Sequence, residues 1–319
     1  MPLDHDYQRF VERELDECNA ALDDKPNLAA VFDHSWRKEH RSKMLNANSP
    51  AEVWYPSSYA KPHNDMFYPP DYQLRIEEGA AVLLPRLDDG EKNHLIARMR
   101  GSGCLSAEEE LLLARGFARV FGADAISFPR VNKGQDVPEF HVSVSGRTIE
   151  VEAKGLMDSA EVQQLNEHAV RSGQNAWCSF SPTIGDVGRL RGAVARKLLS
   201  TATGDGRVLI LTQYTPWIHP ADAIPLVRIM GTAPETFGIA SDKHALAVAY
   251  VTARWIAGVW FNHAVSRQLG FDVAGCEQIR RAIRESFYPR AGGVFFDETN
   301  SEQREQALIT EMIRIAYGG

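Results

Sequence analysis

Apolar residues recur along this chain with two periods, which predict how helices and strands alternate. Apolar residues three or four positions apart are typical of amphipathic helices, whereas alternating or continuous apolar runs are typical of strands. The helical spacing covers residues 5–22, 27 to the early forties, 106–121, 158–171, 275–287, 301–316 and a stretch from Asp186. Strands are predicted at 125–128, 140–144, 148–154 and 207–216. Helices interleaved with strands place the chain in the α/β class.

Three other stretches are defined by composition rather than by a period. Residues 46–72 alternate prolines with aromatic residues, which predicts an extended arm packed on the rest of the protein. Prolines between 216 and 236 predict a loop. Residues 245–263 are strongly apolar and predict a buried helix or strand.

Two local predictions concern individual residues, namely two histidines and the start of the helix at 106–121. His34 and His40 lack metal-ligand spacing, so both are expected at the surface. The sequence S-A-E-E at Ser106 is typical of a capping box, in which Glu109 closes the first turn of a helix.

The stretch Asp136–Gly155 is the centre of the chain, because two alternating runs flank Ser145-Gly146 and predict an antiparallel hairpin with a tight turn. One side of this hairpin is apolar, and the other side carries polar and charged residues. The apolar side consists of Phe140, Val142, Val144, Ile149, Val151 and Ala153. The polar side consists of Glu139, His141, Ser143, Thr148, Glu150, Glu152 and Lys154.

Glu139, Glu152 and Lys154 can converge where this hairpin opens. Two carboxylates and an ammonium group in that position could hold a divalent metal ion beside a phosphate. The alternative is an exposed hairpin whose charged side chains only stabilise the pairing of its strands.

The residues Pro138-Glu139-Phe140, with Glu152-Ala153-Lys154 beginning thirteen positions after Glu139, resemble the PD-(D/E)xK nuclease superfamily. The resemblance implies the restriction-endonuclease-like fold, an α/β core in which helices flank a mixed central sheet. It also implies phosphodiester hydrolysis with Mg²⁺ or Mn²⁺ as the cofactor.

By position in this motif, Glu139 and Glu152 are implied metal ligands, with the backbone carbonyl of Ala153 beside them. Lys154 is implied to position or activate the attacking water. Members of the superfamily usually have aspartate where this chain has Glu139, and the substitution leaves the activity of this site open. Asp136 is an alternative acid. It lies three positions before Glu139, so a regular strand would not direct both side chains towards Glu152.

Members of this fold often add a metal-side glutamate from the helix that begins the core, and Glu110 is the candidate here. The alternative is that Glu110 is an acid favoured near a helix start by the helix dipole.

A local excess of positive charge follows the hairpin and suits a groove for a phosphate backbone. Six Lys or Arg residues stand against two acids between Arg171 and Arg207. Arg189, Arg196 and Lys197 are therefore the candidate nucleic-acid contacts, although a solvated helix face is the alternative for each of them.

The resemblance and the composition together divide the chain into three parts. Residues 1–100 form a helical region with the proline and aromatic arm, 101–265 form the nuclease-like core, and 266–319 form a C-terminal helical extension. The resemblance also allows a homodimer.

The overall composition favours a globular protein of the cytoplasm. The 319 residues are 44% hydrophobic and 24% charged, and the N-terminus has no signal-peptide pattern. The four cysteines form no C-x-x-C pair, which fits a reducing compartment. The net charge of −7 argues against indiscriminate binding to nucleic acid, and no stretch predicts a membrane span.

Three functional hypotheses follow from these observations. The first is a metal-dependent nuclease that acts on DNA. The second is a catalytically silent nuclease-like module that binds nucleic acid or a protein partner. The third is an interaction protein whose aromatic arm docks a partner.

Overall fold

The computed structural model describes residues 5–47, 55–60, 71–101, 103–129, 138–156, 192, 204–213, 220–237, 239–240, 244–252 and 255–289. The chain forms two compact units, the first from residues 1–124 and 158–178 and the second from 125–157 and 179–319. The predicted domain boundaries after residues 100 and 265 do not coincide with the limits of these compact units. They are not tested by this division and stay predictions. None of the helices in the described ranges is long and apolar enough to cross a bilayer.

The described part of the first unit is helical. Its helices are α1 (His5–Ala20), α2 (Pro26–Val31), α3 (His34–Leu45), α4 (Tyr72–Leu83), α5 (Asp89–Met99) and α6 (Cys104–Phe121). A 3₁₀ turn, Leu84–Arg86, follows α4.

The single helix predicted from residue 27 to the early forties is wrong, because α2 and α3 are separate. Asp33 adopts an extended conformation between them, and its carboxylate accepts a hydrogen bond from the backbone N–H of Trp36 at 2.9 Å. This side chain caps α3. Glu77 of α4 acts similarly on α2, since its carboxylate accepts from the backbone N–H of Leu28 at 2.8 Å.

The capping box predicted at Ser106 and Glu109 is also wrong. Helix α6 begins at Cys104, so Ser106 lies within the helix rather than before it. Glu109 is buried rather than exposed at a helix start. Packing of the first turns of α6 thus outweighs the local capping signal.

Residues 55–60 of the proline and aromatic arm are packed against the helices, which confirms the prediction for this part. The carboxylate of Glu108 is fully buried and accepts three hydrogen bonds. Its donors are the Ser57 hydroxyl at 2.5 Å, the Ser58 backbone N–H at 2.6 Å and the Tyr72 hydroxyl at 2.5 Å. A buried carboxylate therefore fixes the arm to the helical core.

His34 is exposed as predicted, but the surface position predicted for His40 is wrong. The His40 ring is stacked on Trp36, with ring centroids 4.5 Å apart, and only 5% of the residue is exposed. Burial lowers the pKa of His40 to about 4, and the charge of Lys43 contributes in the same direction.

We predict that the thermal stability of the protein falls between pH 6.5 and about 4 through His40. The unfolded chain binds a proton in this range and the folded protein does not, so stability is lost as the pH is lowered. The Tm of wild type minus that of His40→Phe should therefore decrease as the pH falls. A difference in Tm that is constant from pH 7 to 4 would contradict this assignment.

The described part of the second unit contains a mixed sheet of seven strands, which lie side by side in chain order. They are β1 (Ile126–Ser127), β2 (Phe140–Val144), β3 (Arg147–Leu156), β4 (Gly206–Gln213), β5 (Ala247–Thr252), β6 (Trp255–Phe261) and β7 (Tyr288–Pro289). The pairs β1–β2, β2–β3 and β5–β6 are antiparallel, while β3–β4, β4–β5 and β6–β7 are parallel. The sheet and its helices confirm the α/β class.

The predicted hairpin is confirmed as β2 and β3. Phe140 lies opposite Val151, and Val142 lies opposite Ile149. Ser145 and Gly146 form the turn with φ values of 51° and 76°, and such a pair of positive values is typical of a type I′ turn.

The loop predicted between residues 216 and 236 is wrong, because helix α7 spans Pro220–Thr232 with Pro225 inside it. Proline removes a helical hydrogen bond, but α7 buries a row of apolar side chains that offsets this loss. Side chains of α7 and of the sheet form one apolar cluster, which includes Leu226, Val227 and Met230 of α7 and Leu209, Leu211, Val248 and Tyr250 of β4 and β5. The buried element predicted at 245–263 consists mainly of strands β5 and β6.

A buried ion pair joins β3 to β4. Glu150 and Arg207 are register partners, and the Arg207 Nε donates to a Glu150 carboxylate oxygen at 2.9 Å. The other oxygen of Glu150 accepts from the Gly204 backbone N–H at 3.0 Å. Both side chains are almost fully buried, so each charge depends on the other for compensation.

We predict that Glu150→Ala lowers the free energy of unfolding by about 3–5 kcal/mol, because it leaves the Arg207 charge buried without its partner. Urea unfolding followed by circular dichroism measures this change. The control is Arg147→Ala, which removes a half-exposed pair with Asp205 at 4.0 Å and should cost less than about 1 kcal/mol. Equal losses in the two variants would contradict a special role for the buried pair.

Candidate functional site

Glu152 lies in the middle of β3, on the same face of the sheet as Glu150 and Lys154. Only 4% of Glu152 is exposed, whereas Lys154 is half-buried. Ile149 and Val151, on the opposite face, are fully buried too, so both faces of the strand are covered at Glu150 and Glu152.

Glu139 lies immediately before β2 and is half-buried. Its backbone N–H donates to the carbonyl oxygen of Val151 at 3.0 Å, so the chain still follows β3 at this point. The last registered pair of the hairpin is Phe140 with Val151. In a regular continuation of this register the Glu139 N–H would point away from β3, so its hydrogen bond to Val151 shows that the regular pairing ends at Phe140 and that Glu139 lies beside the residue that precedes Glu152.

Beyond this point β3 continues without β2. Residues 152–156 remain paired with β4, and Lys154 lies beside Leu211. The residues of β4 that flank Glu152 and Lys154 on this face are Leu209 and Leu211, both fully buried. The charged groups thus stand between an apolar wall on the β4 side and the end of β2 on the other side.

His141 shares the polar side of the hairpin and lies opposite Glu150. Burial lowers the pKa of His141, while the charge of Glu150 opposes this change. His141 is thereby held neutral near pH 7, and it adds no positive charge beside Glu139 and Glu152.

Sequence reasoning missed a polar pair at the end of β4. The Tyr250 hydroxyl donates to the side-chain carbonyl of Gln213, and both residues are buried. Burial raises the pKa of the Tyr250 phenol, so this group stays protonated as a donor. The pair lies on the face that carries Lys154. Only the polar Gln213 at the end of an apolar run could have indicated it.

Glu110, the third predicted metal ligand, lies in the first unit and forms an ion pair with Arg98. Its predicted role at the metal stays a prediction. The predicted nucleic-acid contacts Arg189, Arg196 and Lys197 and the alternative acid Asp136 lie outside the described residues.

No group of three or more His, Cys, Asp or Glu side chains in the described part of the chain has the geometry of a metal site. Mg²⁺ is commonly held by only one or two carboxylates, with water and substrate phosphate completing its shell. The pair Glu139 and Glu152 provides two carboxylates, so the donor set suits Mg²⁺ or Mn²⁺ rather than zinc.

Comparison of the chain with models of protein families, with curated proteins and with solved structures finds no match in any of the three.

Proposed function

We propose that the protein is a metal-dependent nuclease that hydrolyses phosphodiester bonds in DNA. The observation that supports this proposal is the hydrogen bond from the Glu139 backbone N–H to Val151, which brings Glu139 beside the residue that precedes Glu152, with Lys154 two residues further along β3. Two acids and one cation of this kind suit a phosphodiester substrate, whose scissile group gains negative charge during hydrolysis.

The order of the elements supports the same proposal. A meander of β1, β2 and β3 is followed by β4, which pairs with β3 in parallel. The resembled superfamily orders its core as helix, strand, hairpin, helix and strand, and the helix predicted between the hairpin and β4 lies outside the described residues. Parallel neighbours need a long crossover connection, and residues 157–205 provide its length.

In the proposed mechanism, Glu139 and Glu152 would hold Mg²⁺ or Mn²⁺, with the Ala153 carbonyl as a further donor. The ion would polarise the scissile phosphate and offset charge on the leaving oxygen. Lys154 then orients the attacking water or neutralises charge that develops on the phosphate. Leu209 and Leu211 exclude water on one side and strengthen these electrostatic interactions.

We predict that the purified protein cleaves DNA in the presence of Mg²⁺, and that Glu152→Gln lowers the rate at least about a hundredfold, because a carboxylate ligand is lost. Supercoiled and linear DNA should be incubated with Mg²⁺ or with chelator. The control is Glu235→Gln, which makes the same chemical change at an exposed position of the second unit and should leave the rate unchanged.

Equal cleavage by wild type and Glu152→Gln would show that the activity comes from a contaminant or another site. Lys154→Met separates two roles of the lysine. If Lys154 acts only in hydrolysis, this variant should lose turnover while it retains metal binding.

We predict that calorimetric titration with Mn²⁺ gives a binding isotherm for wild type that Glu139→Ala weakens about 10–100-fold. Ser143→Ala, a change at an exposed position of β2, the strand that follows Glu139, is the control and should bind Mn²⁺ like wild type. Metal binding without cleavage of any DNA would favour the catalytically silent module. Absence of metal binding in wild type would rule out the proposed site.

A further inference from the structure

Two helices at the end of the described chain are joined by a short turn. They are α8 (His263–Leu269) and α9 (Val273–Ser286), and three residues connect them. Two helices joined by a turn of three or four residues that contains glycine are the unit with which many proteins enter the major groove of DNA.

The turn has a fixed conformation. Gly270 adopts φ 77° and ψ 20°, the left-handed conformation that ends α8 without a steric cost. Asp272 then caps α9, because its carboxylate accepts from the backbone N–H of Gly275 at 2.8 Å. Both helix ends next to the turn are therefore fixed by local hydrogen bonds.

The inner surfaces of the two helices are also fixed. Small side chains meet where the helices approach, with the Ser266 hydroxyl 3.6 Å from the Cys276 sulfur. Leu269 packs over Gly206 of β4, since a Cβ on Gly206 would lie 2.6 Å from the Leu269 Cδ1. Phe271 and Ile279 are buried as well. The pair of helices is thus packed against the sheet.

The outer surface of α9 has the opposite character. Residues three or four positions apart share one face of a helix. The exposed residues of α9 are Val273, Ala274, Glu277, Gln278, Arg281 and Arg284.

The charge of this segment also differs from that of the whole protein. Residues 263–286 contain four arginines against three acids, whereas the chain as a whole carries −7. One of the acids is the capping Asp272. A second, Glu277, is paired with Arg280 at 2.7 Å and with Arg284 at 3.7 Å. Arg281 is exposed and has no ion pair with any residue that the structure describes.

We infer that α9 is a recognition helix that enters the major groove of duplex DNA, with Ala274, Gln278 and Arg281, which share one exposed face, towards the bases. Arginine pairs with guanine, glutamine pairs with adenine, and an apolar side chain contacts the methyl group of thymine. The major groove of B-form DNA is about 12 Å wide and admits a helix. The major groove of A-form RNA is too narrow for side chains to read, so the structure favours DNA as the partner.

This inference goes beyond the proposed nuclease function and does not depend on it. Leu269 packs on the face of the sheet that carries Ile149, opposite the face of Glu152. Recognition by α9 and hydrolysis beside Glu152 therefore use different surfaces of the second unit.

We predict that the full-length protein binds a fluorescein-labelled duplex of random sequence in chelator, and that Arg281→Glu weakens this binding at least about tenfold. Fluorescence anisotropy at low salt measures the affinity. The control is Arg9→Glu, which makes the same change of charge at an exposed arginine of α1 and should change affinity less than about twofold. Circular dichroism should show the same fold for all three proteins, because both arginines are exposed.

The inference would be overturned if wild type failed to bind duplex DNA, if both variants weakened binding equally, or if duplex RNA competed as well as duplex DNA. Selection of duplexes from a random pool tests the base contacts. Wild type should enrich a sequence, and Gln278→Ala should change the preferred base at one position, whereas a pool without enrichment would refute the recognition role.

The failure of this inference can be told apart from failure of the proposed function. DNA binding that depends on Arg281, without any Mg²⁺-dependent cleavage, would refute the proposed nuclease function and support α9 as a recognition helix. Cleavage that depends on Glu152, together with DNA binding that does not change in Arg281→Glu, would support the nuclease and refute the recognition role of α9.

Discussion

The register between β2 and β3 is the constraint on which the candidate site depends. Side chains alternate between the faces of a strand, so a slip of one residue would move Glu152 from its present face to the other. The turn at Ser145 and Gly146 fixes this register, because both residues have positive φ values and the strands begin directly beside them. Phe140 and Val151 support it by burying their side chains on the opposite face.

The neighbouring pair β3 and β4 fixes the other side of the site. The Glu150–Arg207 ion pair lies one step along β3 from Glu152 on the same face. Replacement of such a pair by apolar residues is often tolerated elsewhere, so its main effect here is to specify which residues of the two strands lie together. The buried carboxylates of Glu77 and Glu108 have a comparable positional role in the first unit, where each holds backbone from a distant segment.

Sequence reasoning predicted the elements whose cause is local. The hairpin follows from strict alternation and a Ser-Gly turn, and most of α1 and α9 follow from apolar spacing. It failed where packing between distant segments decides the outcome. The prolines from 216 to 236 indicated a loop, yet burial against β4 and β5 stabilises α7 despite Pro225. For the same reason His40 lies under the arm although its own neighbours in sequence are charged.

The candidate site shows the same division between local and distant causes. Glu139, Glu152 and Lys154 could be named because one hairpin carries all three. The Tyr250–Gln213 pair could not, because it joins different strands. The exposed face of α9 could not be recognised either, since the spacing that predicts its buried side leaves the outer side undefined.

A protein with a net charge of −7 must bind a polyanion through local features rather than through its overall field. Glu139 and Glu152 add negative charge where the proposed phosphate would lie, so binding there requires a cation. The outer face of α9 carries Arg281, which forms no ion pair with an acid in the described residues, and it needs no such cation. These two surfaces lie on opposite faces of one sheet. Divalent metal should therefore change the affinity of the first surface for DNA. The affinity of the second surface for DNA should depend on monovalent salt alone.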